Sequence, residues 1–191
     1  MSNPADRTSE RIRKMTYAAL FLAIALVLPF ITMQIPEIAS RISPMHIPVL
    51  LCGFMCGWPW GMAVGFIAPP LRSILFPPMP AMFPDAVSMA FELATYGALT
   101  GLLYRLLPRR KWTIYAVLII SMTAGRIVWG TVRWTLAGLS STTFTWEMFM
   151  AGALINAVPG IILHIALIPL LVMAMERAGL SLNRPGPAKG K

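Results

Sequence analysis

Six apolar stretches, separated by charged or proline-rich connections, constrain the fold of this chain more than any other feature. Hydrophobic residues make up 57% of the sequence and charged residues 12%, which is more apolar surface than a soluble domain of this size can bury. A membrane-spanning helix needs about 20 residues, so the length of the chain allows about six spans and little else. The sequence therefore predicts an all-α integral membrane protein built as a bundle of six transmembrane helices.

The apolar stretches predict helices near residues 12–32, 46–57, 60–76, 85–107, 113–138 and 148–175. The second is short, which predicts a tilted or partial span that packs against protein. The domains that follow are a tail at 1–11, a membrane domain at 12–176 and a basic, disordered tail at 177–191.

Small residues recur at four-residue spacing, first at Gly53, Gly57, Gly61 and Gly65 and then at Gly97 and Gly101. Such spacing lets helix backbones approach closely within a membrane. Because Pro59 interrupts the first series, we expect that series to run across two helices. Its predicted role is packing.

The basic residues indicate the orientation. Twelve of the sixteen Lys and Arg residues fall in the N-terminal tail, in the RLLPRRK connection and in the C-terminal tail. Basic connections stay on the cytoplasmic side, so both termini are predicted to be cytoplasmic. The expected location of this multi-pass protein is a prokaryotic plasma membrane. The basic residues on the cytoplasmic side of the membrane thus explain the net charge of +9, and we expect no nucleic-acid partner.

The richer connections, ITMQIPEIASRISP, FPPMPAMFPDA and GLSSTTFTWE, would then lie on the outer side. Long loops often bind ligands or close over them, although they can also simply join helices.

Sequence motifs do not indicate an enzyme. Cys52 and Cys56 have no companion cysteines or histidines at zinc-binding spacing, so neither a metal nor a disulfide is expected. The chain also lacks H-E-x-x-H, G-x-S-x-G and the P-loop. We therefore predict no catalytic residue and no cofactor, and any energy for transport would come from other proteins.

Two charges stand inside apolar stretches at equal depth. Counted from the cytoplasmic ends at about 1.5 Å per residue, Glu92 lies roughly 20 Å and Arg126 roughly 21 Å into the membrane. A buried charge needs a partner, so the two residues are predicted to pair.

Helical spacing adds Tyr96 to the face of Glu92 and Trp129 to the face of Arg126. Asn156 on the sixth stretch and His46 at the outer start of the second are further candidates. Together these side chains predict a pocket for a small polar molecule with a flat or apolar part. The alternative is a structural ion pair that fixes the helix register. His164 is expected to be a core histidine with satisfied hydrogen bonds.

The stretches PMHIPVLLCGFMCGWPWG, MAFELATYG and GRIVWG resemble the substrate-binding S components of energy-coupling factor (ECF) vitamin transporters. The resemblance extends over nearly the whole chain. It implies a six-helix subunit that captures a vitamin near the outer face and works with a transmembrane coupling subunit and two cytoplasmic ATPases. It also implies a contact with the coupling subunit through an A-x-x-x-A motif, matched here by Ala19 and Ala23, although internal packing explains that spacing equally well.

The predicted vitamin belongs to the pantothenate or riboflavin class. An arginine in the site slightly favours anionic pantothenate. Two other functions stay open. A self-sufficient transporter should have polar residues on both sides of the midplane, and a membrane scaffold should have a purely structural ion pair.

Overall fold

The computed structural model describes residues 4–32, 43–76, 81–108, 110–139, 145–152 and 158–183. The helices are α1 (Pro4–Thr32), α2 (His46–Cys56), α3 (Trp58–Leu75), α4 (Val87–Leu106), α5 (Lys111–Leu139), α6 (Trp146–Met150) and α7 (Val158–Arg177), and a π-helical turn at Met82–Ala86 leads into α4. These residues contain no strand, so the prediction of an all-α protein is confirmed.

Within the described residues, four stretches are long and apolar enough to cross a membrane: Asp6–Phe30, Met82–Leu106, Lys111–Leu139 and Val158–Arg177. Helix α2 has 11 residues, which gives a length of about 16 Å, short of the hydrophobic thickness. Helix α3 has 18 residues but contains Arg72, Pro69 and Pro70. A count of six spans and a cytoplasmic position of the termini stay predictions.

Two helices differ from the predicted stretches. Helix α1 begins at Pro4, inside the expected tail, because residues 5–14 contain no further proline or glycine to stop a helix. The sixth stretch is described as α6 and α7, and residues 153–157 between them lie outside the described residues. Pro159 stands in the first turn of α7, where proline costs no helical hydrogen bond.

Glycines allow α3 to pack against α4 more extensively than any other pair of helices. A Cβ atom on Gly61 would lie 2.6 Å from the carbonyl oxygen of Gly97, and one on Gly65 would overlap the backbone of Leu93. On α2, a Cβ on Gly53 would meet the same Gly97 carbonyl. The glycine series therefore runs across α2 and α3 and packs both onto α4, as predicted.

The chain after α7 folds back onto the bundle. A turn at Gly179, with φ of 72°, lets the amide of Leu182 donate to the carbonyl of Met55 at 2.9 Å. The Asn183 side-chain amide donates to the carbonyl of Gly101 at 3.0 Å. The predicted disorder is thus wrong for residues 178–183, because their polar groups find backbone acceptors at the helix ends. Residues 184–191 lie outside the described residues.

Candidate functional site

Among the described residues, two ion pairs join α5 to α4 and to the π-helical turn that precedes it. Arg126 Nη1 lies 3.1 Å from Glu92 Oε1, and Arg133 contacts Asp85. Asp85 precedes Glu92 by seven residues and Arg133 follows Arg126 by seven residues, as expected where two antiparallel segments lie side by side. The predicted pairing of Glu92 with Arg126 is confirmed.

Tyr96 holds the carboxylate of Glu92 from one turn further along α4. Its hydroxyl donates to Glu92 Oε1 at 2.7 Å, and both side chains are buried. The Tyr96 ring packs directly over Gly125 of α5, where any Cβ atom would overlap it. Gly125 therefore provides the space that lets Tyr96 reach Glu92.

His46, the first residue of α2, faces the same carboxylate. Its Nδ1 lies 3.0 Å from the carbonyl oxygen of Ser43, and because a carbonyl only accepts, Nδ1 carries a proton. In the neutral ring Nε2 is then an acceptor. It lies 3.6 Å from Glu92 Oε1, which is too long for a hydrogen bond.

His164 on α7 completes this group, and sequence reasoning missed it. Its ring stacks on that of His46 at 5.8 Å between centroids, and only 2% of the residue is exposed. Neither ring nitrogen has a hydrogen-bond partner among the described residues, so these residues do not supply the hydrogen bonds expected of a core histidine. A depth count could have found it, since His164 stands 13 residues from Arg177, roughly 20 Å along the helix, level with Glu92 and Arg126.

The group defined by His46, Glu92, Tyr96, Arg126 and His164, here called the buried polar cluster, retains hydrogen-bonding capacity. Within the part of the chain that the structure describes, Arg126 Nε, His46 Nε2 and both nitrogens of His164 have no hydrogen-bond partner. A buried polar atom without a partner costs about 1–3 kcal/mol. The cluster can therefore accept or donate to a polar molecule placed among α2, α4, α5 and α7.

Trp129 lies beside the cluster in an aromatic group. Its ring stacks on Phe149 of α6 at 6.4 Å, and a Cβ on Gly152 would lie 2.8 Å from it. A cavity of about 500 Å³ opens beside this aromatic group, lined by Phe149 and by the exposed Trp146 and Ile127, and its lining includes no residue of the buried polar cluster. The structure thus brings together four of the predicted site residues, His46, Glu92, Tyr96 and Arg126, whereas Trp129, one turn from Arg126 on α5, packs against α6.

The remaining predictions concern other positions. Asn156 lies outside the described residues, so its place in the site stays a prediction. Ala19 and Ala23 are exposed on α1, whereas Ala18 and Phe21 face the bundle core. Among the residues described, no group of three or more His, Cys, Asp or Glu could hold a metal ion.

Comparison with known proteins identifies the family. A family model described as ECF transporter, substrate-specific component, matches residues 13–172. No curated protein and no solved structure matched the chain. The matched range contains all of α2 to α6 and most of α1 and α7, and with them the whole buried polar cluster. The chain therefore belongs to the family of ECF transporter substrate-specific components.

Proposed function

We propose that this substrate-specific subunit captures a water-soluble vitamin of the pantothenate or riboflavin class at the buried polar cluster, and that the vitamin enters from the outer face. Family membership makes the chain a substrate-specific transporter subunit, and the identity of the vitamin is part of the proposal. The supporting observation is that Arg126, His46 and His164 each have a buried nitrogen with no hydrogen-bond partner among the described residues. Arg126 and His46 both lie against Glu92, and the ring of His164 stacks on that of His46.

Each side chain has a distinct role in this proposal. Arg126 donates through its unpaired Nε to a carbonyl, carboxylate or ring oxygen. His46 Nε2 accepts from a hydroxyl or amide of the vitamin, and His164 can donate or accept. Glu92 orients Arg126 and, with Tyr96, fixes the wall of the site.

Trp129 would provide an aromatic face and Asn156 a polar edge. The first and third outer loops would close the site from above, and most of both lies outside the described residues.

The charges no longer favour an anionic vitamin. Because Glu92 pairs with Arg126 at 3.1 Å, the pair is formally neutral and offers no net charge to a ligand. Pantothenate and riboflavin both carry carbonyl and hydroxyl groups that the unpartnered nitrogens can bind. The proposal therefore keeps both classes on equal terms.

Ligand identification is the primary test. Mass spectrometry of small molecules that co-purify with the protein should reveal a vitamin, and calorimetric titration then gives its affinity. Arg126→Ala should weaken binding by about 2 kcal/mol, or roughly 30-fold, because a buried charged hydrogen bond is lost. Arg133→Gln is the matched control, since it removes the same charge from the same helix two turns away, and it should bind as wild type.

Two outcomes would contradict the proposed site. A folded Arg126→Ala protein that binds the vitamin as tightly as wild type would make Arg126 structural. Absence of any bound or binding vitamin would favour a membrane scaffold, whereas uptake by the chain alone in liposomes would favour a self-sufficient transporter.

We propose further that the exposed Ala19 and Ala23 form the docking surface for a transmembrane coupling subunit, which acts with two cytoplasmic ATPases. Small residues admit a partner helix closely, and tryptophan would block it. Ala19→Trp with Ala23→Trp should abolish vitamin uptake and leave binding by the isolated subunit intact. Leu20→Trp with Ile24→Trp, which changes a neighbouring exposed stripe, should retain uptake. Equal loss of binding in the alanine variant would place Ala19 and Ala23 in the internal fold.

A further inference from the structure

A second cavity lies at the end of the bundle where α1 begins and where the segment after α7 folds back. None of its lining residues belongs to the buried polar cluster. Its volume is about 660 Å³. Its lining includes Glu10, Arg13 and Lys14 of α1 together with Arg105 of α4. The docked segment 179–183 forms another wall through Ser181, Leu182 and Asn183. The cavity therefore exists because the chain after α7 folds back.

The charges that line this cavity favour an anion. Glu10 forms an ion pair with Lys14 at 2.6 Å between Oε1 and Nζ, so the charges of these two residues cancel. Arg13 and Arg105 line the cavity with no ion pair to any described residue, so the lining carries a formal net charge of two positive units. Two guanidinium groups are well suited to the oxygens of a phosphate.

A buried hydroxyl provides independent evidence for a ligand. Ser181 is 6% exposed, lines the cavity, and its Oγ has no hydrogen-bond partner among the described residues. A buried hydroxyl without a partner is costly. An anion in the cavity would accept from this hydroxyl and remove that cost.

Two tryptophans indicate that the cavity lies at the level of the lipid headgroups. Trp58, 40% exposed, and Trp60 stand at the cavity wall at the start of α3. Tryptophan is enriched at the level of lipid headgroups, and basic pockets between helices bind anionic headgroups at this level.

We propose that this cavity binds a phosphate group, supplied by an anionic phospholipid headgroup or by free phosphate, between Arg13, Arg105 and the hydroxyl of Ser181. Binding would fasten the segment after α7 to α1 and α4. The site is independent of the vitamin and of the buried polar cluster.

The test uses the full chain in detergent, titrated with short-chain phosphatidylglycerol in one arm and inorganic phosphate in the other, with binding followed by the rise in unfolding temperature. Arg13→Gln with Arg105→Gln should weaken phosphatidylglycerol binding at least about tenfold, because two charged hydrogen-bond donors are lost. Arg11→Gln with Arg110→Gln removes the same charge from residues outside the cavity lining, and it should bind as wild type. Ser181→Ala should weaken binding about fivefold and disturb no protein contact.

The outcomes separate the sources. Saturable binding of phosphatidylglycerol alone identifies a lipid headgroup, and saturation by inorganic phosphate as well identifies the phosphate as sufficient. Equal weakening by the cavity pair and the control pair would reduce the effect to general surface charge and overturn the proposal. Unchanged binding in a folded Ser181→Ala protein, or no saturable binding in either arm, would also overturn it.

Discussion

Gly125→Ala should disrupt the buried polar cluster without removing any polar group. In the structure, the Tyr96 ring occupies the position that an alanine Cβ would need. The ring cannot retreat freely, because Tyr96 is fully buried and its hydroxyl is held by Glu92 at 2.7 Å. The substitution therefore forces either the helix or the ring to shift, and a shifted ring loses its hydrogen bond.

The magnitude follows from three contributions. Overpacking a close-packed core costs about 1–3 kcal/mol, and loss of the hydrogen bond to a charged group costs about 1.5–3 kcal/mol. The higher helix propensity of alanine returns about 1 kcal/mol. The net destabilisation is about 1.5–5 kcal/mol, which corresponds to an unfolding midpoint at least roughly 3 °C lower.

Thermal unfolding in detergent, followed by near-ultraviolet circular dichroism, measures this loss. Gly138→Ala is the matched control on the same helix, because no atom lies within 4 Å of its added Cβ. It should be neutral or slightly stabilising. Equal midpoints for Gly125→Ala and Gly138→Ala would refute the assigned constraint on Tyr96.

A double-mutant cycle isolates the mechanism. Tyr96→Phe removes the same hydrogen bond directly, and that bond can be lost only once. The combined variant should therefore be less destabilised than the sum of the single variants by about 1.5 kcal/mol. Strict additivity would mean that Gly125→Ala acts elsewhere.

Two further predictions concern packing and orientation. Gly97→Val should prevent α3 from packing on α4, because its Cβ would overlap the backbone of Gly61. The expected result is a loss of folded, monodisperse protein relative to the control Gly138→Val. Recovery of normal amounts of folded Gly97→Val protein would contradict the helix packing. If residue 110 is cytoplasmic, Arg110→Cys in a chain lacking Cys52 and Cys56 should react with an impermeant maleimide only after cells are opened; labelling of intact cells would reverse the orientation.

Sequence periodicity was sufficient for the helices and for the central ion pair, because both depend on regular spacing. A helix rises by a fixed distance per residue, so equal depth could be computed for Glu92 and Arg126 before either helix was placed. The Asp85 and Arg133 pair follows from the same rule, two turns away. The course of the glycine series across two helices could be predicted for a similar reason, since Pro59 indicates the break between α2 and α3.

Contacts between distant segments were less accessible. The return of residues 178–183 depends on backbone acceptors at Met55 and Gly101, and no local pattern in the tail specifies them. His164 was misjudged because its surroundings on α7 are apolar and the polar ring that it contacts, His46, belongs to another helix. Its depth was available from the sequence, but the side of α7 that faces His46 was not.

The unpartnered nitrogens bear on the choice between a binding site and a structural ion pair. A pair that only fixes helix register is stabilised most when every polar atom around it is matched, since each unmatched atom in a buried site costs about 1–3 kcal/mol. Here the matched atoms are those of Glu92, which contacts both Tyr96 and Arg126. The atoms that find no hydrogen-bond partner among the residues described are Arg126 Nε, His46 Nε2 and both nitrogens of His164. Stability alone gives no reason to keep two histidines in that position, whereas a site that must bind and release a polar molecule needs such atoms.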